Sequence, residues 1–335
     1  MVLVTGGTGL VGSHLLFNLA KAGIQVRAIY RNEDRIQLTK KVFGYYIDYP
    51  DHLFKTIDWV KCDINDIPTL EMVFDGVTYV YHAAALISFD PNDVKQLHSI
   101  NVTGTSNIVN LCITNSIKKL CYVSSIATIG NTLNNQVANE TTEFNDAIAN
   151  VYARSKYQAE MEVWRCSQEG IKVVIVNPGL IVGPGFWNTG SGTLFQKIYN
   201  GLKFYLPSGT GFVTVKDVVE AMTKLMDSAI ANENYILVSK NLTYKEAFTK
   251  IALALGKKPP QFLLKNWIAA ILWRLDWLKS KAIGSKRVLS KKMADSFNVF
   301  TRYSNEKINT AIEFEFEDLE TSIKSCTTIF LEENR

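Results

Sequence analysis

Through its first half the chain alternates short apolar runs with longer stretches of helical spacing. Val2 to Val4, Gln25 to Tyr30, Ile57 to Cys62, Val77 to His82, Lys119 to Ser124 and Lys172 to Asn177 read as strands. Runs such as KVVIVN are apolar on successive positions, which predicts burial on both faces of a parallel sheet. Between them lie helical patterns. Ser13 to Ala22 places Leu15, Leu16 and Leu19 on one face, and Pro68 to Phe74 has its proline near the start. Asp93 to Asn115 and Tyr152 to Gln168 are longer, and the charged stretch Asn32 to Phe43 is partly helical. Strands alternating with helices predict an α/β fold, a doubly wound parallel sheet of the Rossmann type.

After Pro178 the rhythm changes. Gly179 to Gly192 has five glycines, and helical patterns follow at Leu194 to Gly201, Asp217 to Ala229 and Tyr244 to Leu255. A strand at Tyr235 to Val238 is expected to return to the main sheet. The resulting division puts residues 1–177 and 212–238 in the dinucleotide-binding domain. Residues 178–211 and 239–335 form a smaller, mostly helical substrate domain. Asn131 to Asn150 is a polar, irregular loop of the sort that covers a site.

The stretch from Pro259 to Phe300 is helical, aromatic and basic. Trp267, Ile271, Trp273, Leu275, Trp277 and Leu278 are followed by Lys279, Lys281, Lys286, Arg287, Lys291 and Lys292. It reads first as a core helix with a solvated basic flank. Three sharper readings compete: a wall of an apolar substrate pocket, an interfacial helix on anionic lipid across 265–292, and a site for an anionic carrier. Its apolar part is too short to span a bilayer, which takes roughly 20 residues.

Composition narrows the class. The 335 residues are 47% hydrophobic and 20% charged, enough for a large core and against wholesale disorder. A net charge of +4 is weak support for a nucleic-acid partner, and none is expected. Five scattered cysteines without a C-x-x-C pair read as reduced thiols, so the expected location is cytoplasmic, with no secretory leader and no metal site.

The chemistry begins at Val2 to Gly12, VLVTGGTGLVG. A strand, a glycine turn and a helix in that order suit a dinucleotide. Gly6 permits the tight turn, Gly9 lets the backbone approach a pyrophosphate, and Gly12 allows close helix packing. The helix amino terminus offers N–H groups to the phosphates. A second signal is Tyr152-Ala-Arg-Ser-Lys156, which places a phenol and an ammonium one helical turn apart. The lysine is expected to favour the phenolate and lower the tyrosine's pKa, making it a proton exchanger. A third is Tyr122-Val-Ser124-Ser125, where a strand-end hydroxyl can bond the reacting oxygen.

These motifs, with Asp63-Ile64, HAAA at 82–85, Asn101-Val-Thr-Gly-Thr and NPGLIVGPG at 177–185, resemble the extended short-chain dehydrogenase/reductases. The similarity is closest to the branch of dihydroflavonol reductase, cinnamoyl-CoA reductase and 3β-hydroxysteroid dehydrogenase, within the NAD-dependent epimerase/dehydratase group. The resemblance implies that Tyr152 is the proton donor or acceptor. Lys156 would tune it and bind the nicotinamide ribose, while Ser125, ahead of Ser124, orients the substrate oxygen. It also implies a cofactor shell of Gly6, Thr8, Gly9, Leu10, Val11, Gly12, Tyr30, Asp63, Ile64, Ala83, Ala84, Ala85 and Ser124, closed by Pro178, Gly179, Leu180 and Ile181. Asn101 is either near the cofactor or a proton relay, or a plain helix residue.

Charge at the tip of the second strand sets the cofactor. Tyr30-Arg31-Asn32 has no carboxylate there for a ribose 2′-OH, whereas Arg31, helped by Arg35, can pair with a 2′-phosphate. NADP is therefore expected, with NAD the alternative because Glu33 and Asp34 follow. The expected activity is a carbonyl reductase or alcohol dehydrogenase acting on a small or bulky apolar carbonyl or alcohol. Alternatives are a nucleotide-sugar epimerase or dehydratase and a non-catalytic NADP-binding regulator. A homodimer through the helices containing Asn101 and Tyr152 is also expected.

Overall fold

A computed structural model describes residues 1–130, 132, 136–283 and 300–334. Seven strands form one sheet in the order Glu233–Leu237, Lys172–Pro178, Lys119–Val123, Tyr79–His82, Val2–Thr5, Val26–Tyr30 and Asp58–Lys61. Every neighbouring pair is parallel. This is the doubly wound sheet that the apolar runs predict, and the strand near 235 does return to it. The continuous runs are buried as a parallel sheet requires: Val173, Val174, Ile175 and Val176 are all fully enclosed.

The order reverses beside the first strand, whose neighbours are the second and the fourth. Register brings the carboxyl ends level there. Thr5 lies opposite His82, His82 opposite Tyr122, and Val123 opposite Val176. Ligands of open α/β sheets bind outside these ends, at such a reversal.

Two apolar layers hold the sheet. One face packs on helices Leu10–Lys21 and Val215–Asp227 through Leu15, Leu16, Met222 and Leu225. The other packs on Gly104–Thr114 and Val151–Gln168 through Ile108, Cys112, Ala159 and Val163. A separate core joins helices Gly192–Tyr199, Tyr244–Ala254 and Leu319–Glu333 through Phe195, Phe248 and Phe330. It sits on a three-stranded sheet of Leu180–Val182, Gly209–Thr214 and Lys240–Thr243. Gly209–Thr214, which the boundary at residue 212 cuts, thus belongs to the small sheet. Ile308 and Phe314 pack into the main core although they lie far along the chain.

Three expectations change. The run from 93 to 115 is not one regular helix, because a π-helical turn, His98–Thr103, separates Val94–Leu97 from Gly104–Thr114. The loop from 131 to 150 has a short strand, Val137–Ala138, paired with Arg302–Tyr303. The core-helix reading of the tryptophan segment fails. Its helix, Asn266–Ile283, exposes Trp267, Ile271, Leu275 and Leu278 instead of burying them. Lys286, Arg287, Lys291 and Lys292 lie outside the described residues.

Candidate active site

The site begins where the first strand stops. Gly6 has φ +70°, and a Cβ on it would stand 2.6 Å from the backbone of Ala83 and Ala84. A Cβ on Gly12 would stand 2.1 Å from the Gly6 carbonyl oxygen. Both glycines are therefore required by the fold itself. Gly9 is different. Its φ is −105°, and the nearest atom to an added Cβ, the Gly6 oxygen, is at 3.4 Å. Space inside the chain demands no glycine at position 9, so its small size serves whatever approaches from outside. No side chain caps helix Leu10–Lys21, and Thr8, Gly9, Leu10 and Val11 are part-exposed. Free N–H groups at an open helix start fit a dinucleotide's phosphates.

His82 ends the fourth strand in a closed hydrogen-bond chain. Thr105 Oγ1 donates to the Asn101 carbonyl at 2.5 Å, so it accepts from His82 Nε2–H at 2.9 Å. His82 Nδ1 then accepts from Thr5 Oγ1 at 2.6 Å, and Thr5 Oγ1 accepts from the Ala84 N–H at 3.3 Å. Burial, helped by nearby Lys156, pushes this imidazole down to about 3, so it stays neutral. The chain ties Ala83 and Ala84, both part-exposed, beside the glycine turn, with Ala85 exposed next to them.

Asn101 is a clamp. Its Oδ1 accepts from the Leu86 N–H at 2.7 Å, and its Nδ2 donates to the Leu86 carbonyl at 3.0 Å and Ser155 Oγ at 2.9 Å. These bonds pin the 83–86 segment to the helix that carries Tyr152. It lies in the π-helical turn, not in a plain helix.

The side chains of Ser125 and Tyr152 face each other, the serine hydroxyl near enough to favour the phenolate. Phe89 packs edge-on against the Tyr152 ring at 5.5 Å. The expected depression of the Tyr152 pKa is not found. Burial pushes the phenol up to about 12, and only the Ser125 hydroxyl acts the other way. The reason is where Lys156 points. Its ammonium donates to the Tyr122 hydroxyl at 2.6 Å and the Val123 carbonyl at 2.9 Å. Burial drives Lys156 down to about 7, and Glu160 opposes that shift.

Glu160, one turn beyond Lys156 and buried, escaped the sequence reading. Its Oε2 accepts from Ser124 Oγ at 2.5 Å, Thr128 Oγ1 at 2.9 Å and Asn177 Nδ2 at 3.0 Å. Ser124 is thereby turned into the interior, and Ser125 is the serine presented beside Tyr152. The i, i+4 spacing from Lys156 was the available signal for Glu160; Tyr122, on another strand, had none.

At the far end, Arg31 and Arg35 are exposed, Tyr30 is part-buried, and Arg31 stands 3.6 Å from Asp63. Ile64 is buried beneath Gly104, where an added Cβ would be 2.3 Å from its Cδ1. Pro178 ends its strand in the interior, and Gly179, Leu180 and Ile181 run part-exposed into the small sheet. Gly179 is held close, because a Cβ there would be 2.4 Å from the Gly211 oxygen.

Residues 2–237 match the model of the family described as NAD dependent epimerase/dehydratase. A Synechocystis sp. protein bearing the name of a dihydroflavonol 4-reductase is 29% identical over 290 residues, covering 84% of this chain and 79% of that one. Cinnamoyl-CoA reductase 1 of Petunia hybrida is 26% identical over 247 residues, covering 70% and 72%. The solved structure of gox2253 superposes with a TM-score of 0.82 at 24% identity, over 100% of this chain and 99% of that one, which is a likeness of fold.

Proposed function

We propose that this chain, which belongs to the NAD dependent epimerase/dehydratase family, is an NADP-preferring carbonyl reductase or alcohol dehydrogenase. The observation that carries this reading is the Ser125–Tyr152 hydroxyl pair at the carboxyl edge of the sheet, one helical turn from Lys156. A bound nicotinamide would supply or accept the hydride.

Tyr152, protonated at neutral pH, gives its proton to the carbonyl oxygen as reduction proceeds. Ser125 is the second donor to that oxygen. Lys156, one helical turn away and bonded to Tyr122 and Val123, would hold the nicotinamide ribose. Gly6, Gly9, Gly12 and the open helix start take the phosphates. Thr8, Leu10 and Val11 border them, and Ala83, Ala84 and Ala85 line the path to the reacting end. Asn101 acts here by holding that path in place. Pro178, Gly179, Leu180 and Ile181 close over the nicotinamide, and the small lobe takes an apolar carbonyl compound. Its names for two relatives are those of reductases, which supports the reductase over the epimerase reading.

Arg31 and Arg35 favour the 2′-phosphate of NADP, with Tyr30, Asp63 and Ile64 bordering the adenine. The nearness of Asp63 to Arg31 favours the second reading, NAD, since a carboxylate there can instead accept from a 2′-OH. The five free thiols are all buried, which fits a reducing cytoplasm, and dimerisation would use the Asn101 and Tyr152 helices.

A panel of aldehydes and ketones, followed by NADPH oxidation, tests the assignment. Tyr152→Phe should keep cofactor binding and lose turnover by roughly 10²–10⁴-fold. Cofactor binding with no turnover of any carbonyl, or full turnover in Tyr152→Phe, would overturn it. KM for NADPH against NADH, in the native chain and in Arg31→Ala, tests the cofactor. An NADH preference unchanged by that substitution would decide for NAD.

A further inference from the structure

Helix Asn266–Ile283 shows solvent the wrong side. Trp267, Ile271, Leu275 and Leu278 fall at i, i+4, i+8 and i+11, which makes one face, and they are 63%, 49%, 55% and 54% exposed. The opposite side, with Trp273, Asp276 and Ser280, is the half-buried one. An amphipathic helix docked on its own protein does the reverse. The strand that leads into the helix continues the pattern. Phe262 and its neighbour Phe204 are 56% and 44% exposed, with ring centroids 5.8 Å apart. A concentration of exposed apolar side chains of this kind marks a contact with something else.

Charge says what that partner is. Between residues 257 and 281 the sequence has Lys257, Lys258, Lys265, Arg274, Lys279 and Lys281 against the single acid Asp276. Arg274 and Lys281 fall on the flank of the apolar face by helical spacing. Each lies over a tryptophan ring, Arg274 at 4.6 Å from Trp273 and Lys281 at 4.8 Å from Trp277. Tryptophan and long basic side chains are the pair that settles at a lipid headgroup boundary. A second copy of the chain on this face would set these cations against their own images. Among the described residues no helix is long and apolar enough to cross a membrane.

We propose that helix Asn266–Ile283 is an interfacial anchor, which lays its Trp267–Leu278 face into a bilayer containing anionic lipid. The helix lies in the plane of the surface, its apolar face at the boundary between headgroups and acyl chains and its cations on the phosphates. This holds whatever substrate the catalytic site takes.

The test is flotation of the full chain with phosphatidylcholine vesicles, with and without phosphatidylglycerol, at low and high salt. The native chain should float with the anionic vesicles and lose much of that binding in high salt. The Trp267→Ser, Leu275→Ser, Leu278→Ser triple variant should stay unbound on both vesicle types. Arg274→Gln with Lys281→Gln should lose roughly 25-fold in partition, about fivefold per charge, on the anionic vesicles alone. Circular dichroism confirms that the variants are folded. Absence of native binding, or binding of the triple variant at the native level, would overturn the proposal. So would a native dimer, seen by sedimentation, that the triple variant breaks while neither chain binds vesicles.

Discussion

Two helices of this protein, Val151–Gln168 and Asn266–Ile283, have the same length, 18 residues, and both break the usual rule of polar outside and apolar inside. The first draws Ser155, Lys156 and Glu160 into the interior. The second turns its tryptophan and leucines outward. The difference is in the partners. Each buried polar group of the first helix meets a group chosen for it: Lys156 meets Tyr122 and Val123, and Glu160 meets Ser124, Thr128 and Asn177. Desolvation of such groups is costly, and only a full set of hydrogen bonds offsets it. Among the described residues the apolar face of the second helix is left about half exposed. A reversed pattern with partners marks a site built inside the protein, whereas a reversed pattern without them marks a surface completed by another molecule.

The comparison breaks most readily at Glu160. Glu160→Leu leaves the Ser124 hydroxyl unpaired, takes one acceptor each from Thr128 and Asn177, and removes the Lys156 counter-charge, so unfolding free energy at pH 7 should fall by about 3–5 kcal/mol. A urea titration that shows no change would mean the network is not held as tightly as its distances indicate.

Glu160→Gln should cost less, about 1–3 kcal/mol, since one partner geometry survives. Its sharper readout is the pH profile of turnover. Glu160 holds the Lys156 pKa up against burial, so its neutralisation moves the Lys156 limb below about pH 7. A simple loss of packing would lower the rate without moving that limb.

Lys156 also links stability to pH. Its folded pKa, about 7, lies below the ordinary lysine value of 10.5, so the unfolded chain binds more protons between the two. Stability therefore rises with pH above 7, by up to about 1.4 kcal/mol per unit from this group. Urea melts between pH 7 and 8.5 read it as the difference between the native chain and Lys156→Met, which cancels the five buried cysteines whose unfolded thiols ionise in the same range. Lys156→Met should remove that slope.

The smallest effect belongs to the other helix. Leu275→Ser should change stability by less than about 0.5 kcal/mol, because its side chain is already in water. A loss of several kcal/mol would show that the face is covered by the chain in solution.

The order of strands and helices was legible because burial in a parallel sheet leaves a local record, runs such as Val173 to Val176 between helical spacings. The glycine turn was legible too, since Gly6 has a left-handed φ and Gly12 meets the Gly6 carbonyl six residues back, whereas the Ala83–Ala84 backbone that also crowds Gly6 comes from a distant strand end. The spacing of Tyr152 and Lys156 was visible, but its electrostatics was not. Whether the lysine's charge reaches the phenol depends on Tyr122, thirty-odd residues earlier on a strand, which takes that ammonium for itself.

The same limit explains the tryptophan helix. Its residues show an apolar face with a basic flank, and helical spacing alone says nothing about which side the body of the protein occupies. Local spacing determined the elements and the Tyr152–Lys156 pair on which the proposed function rests, because both depend on neighbours along the chain. Only the tertiary structure decided which charge is neutralised, which serine is free and which face is bare, because those depend on atoms brought together from distant strands.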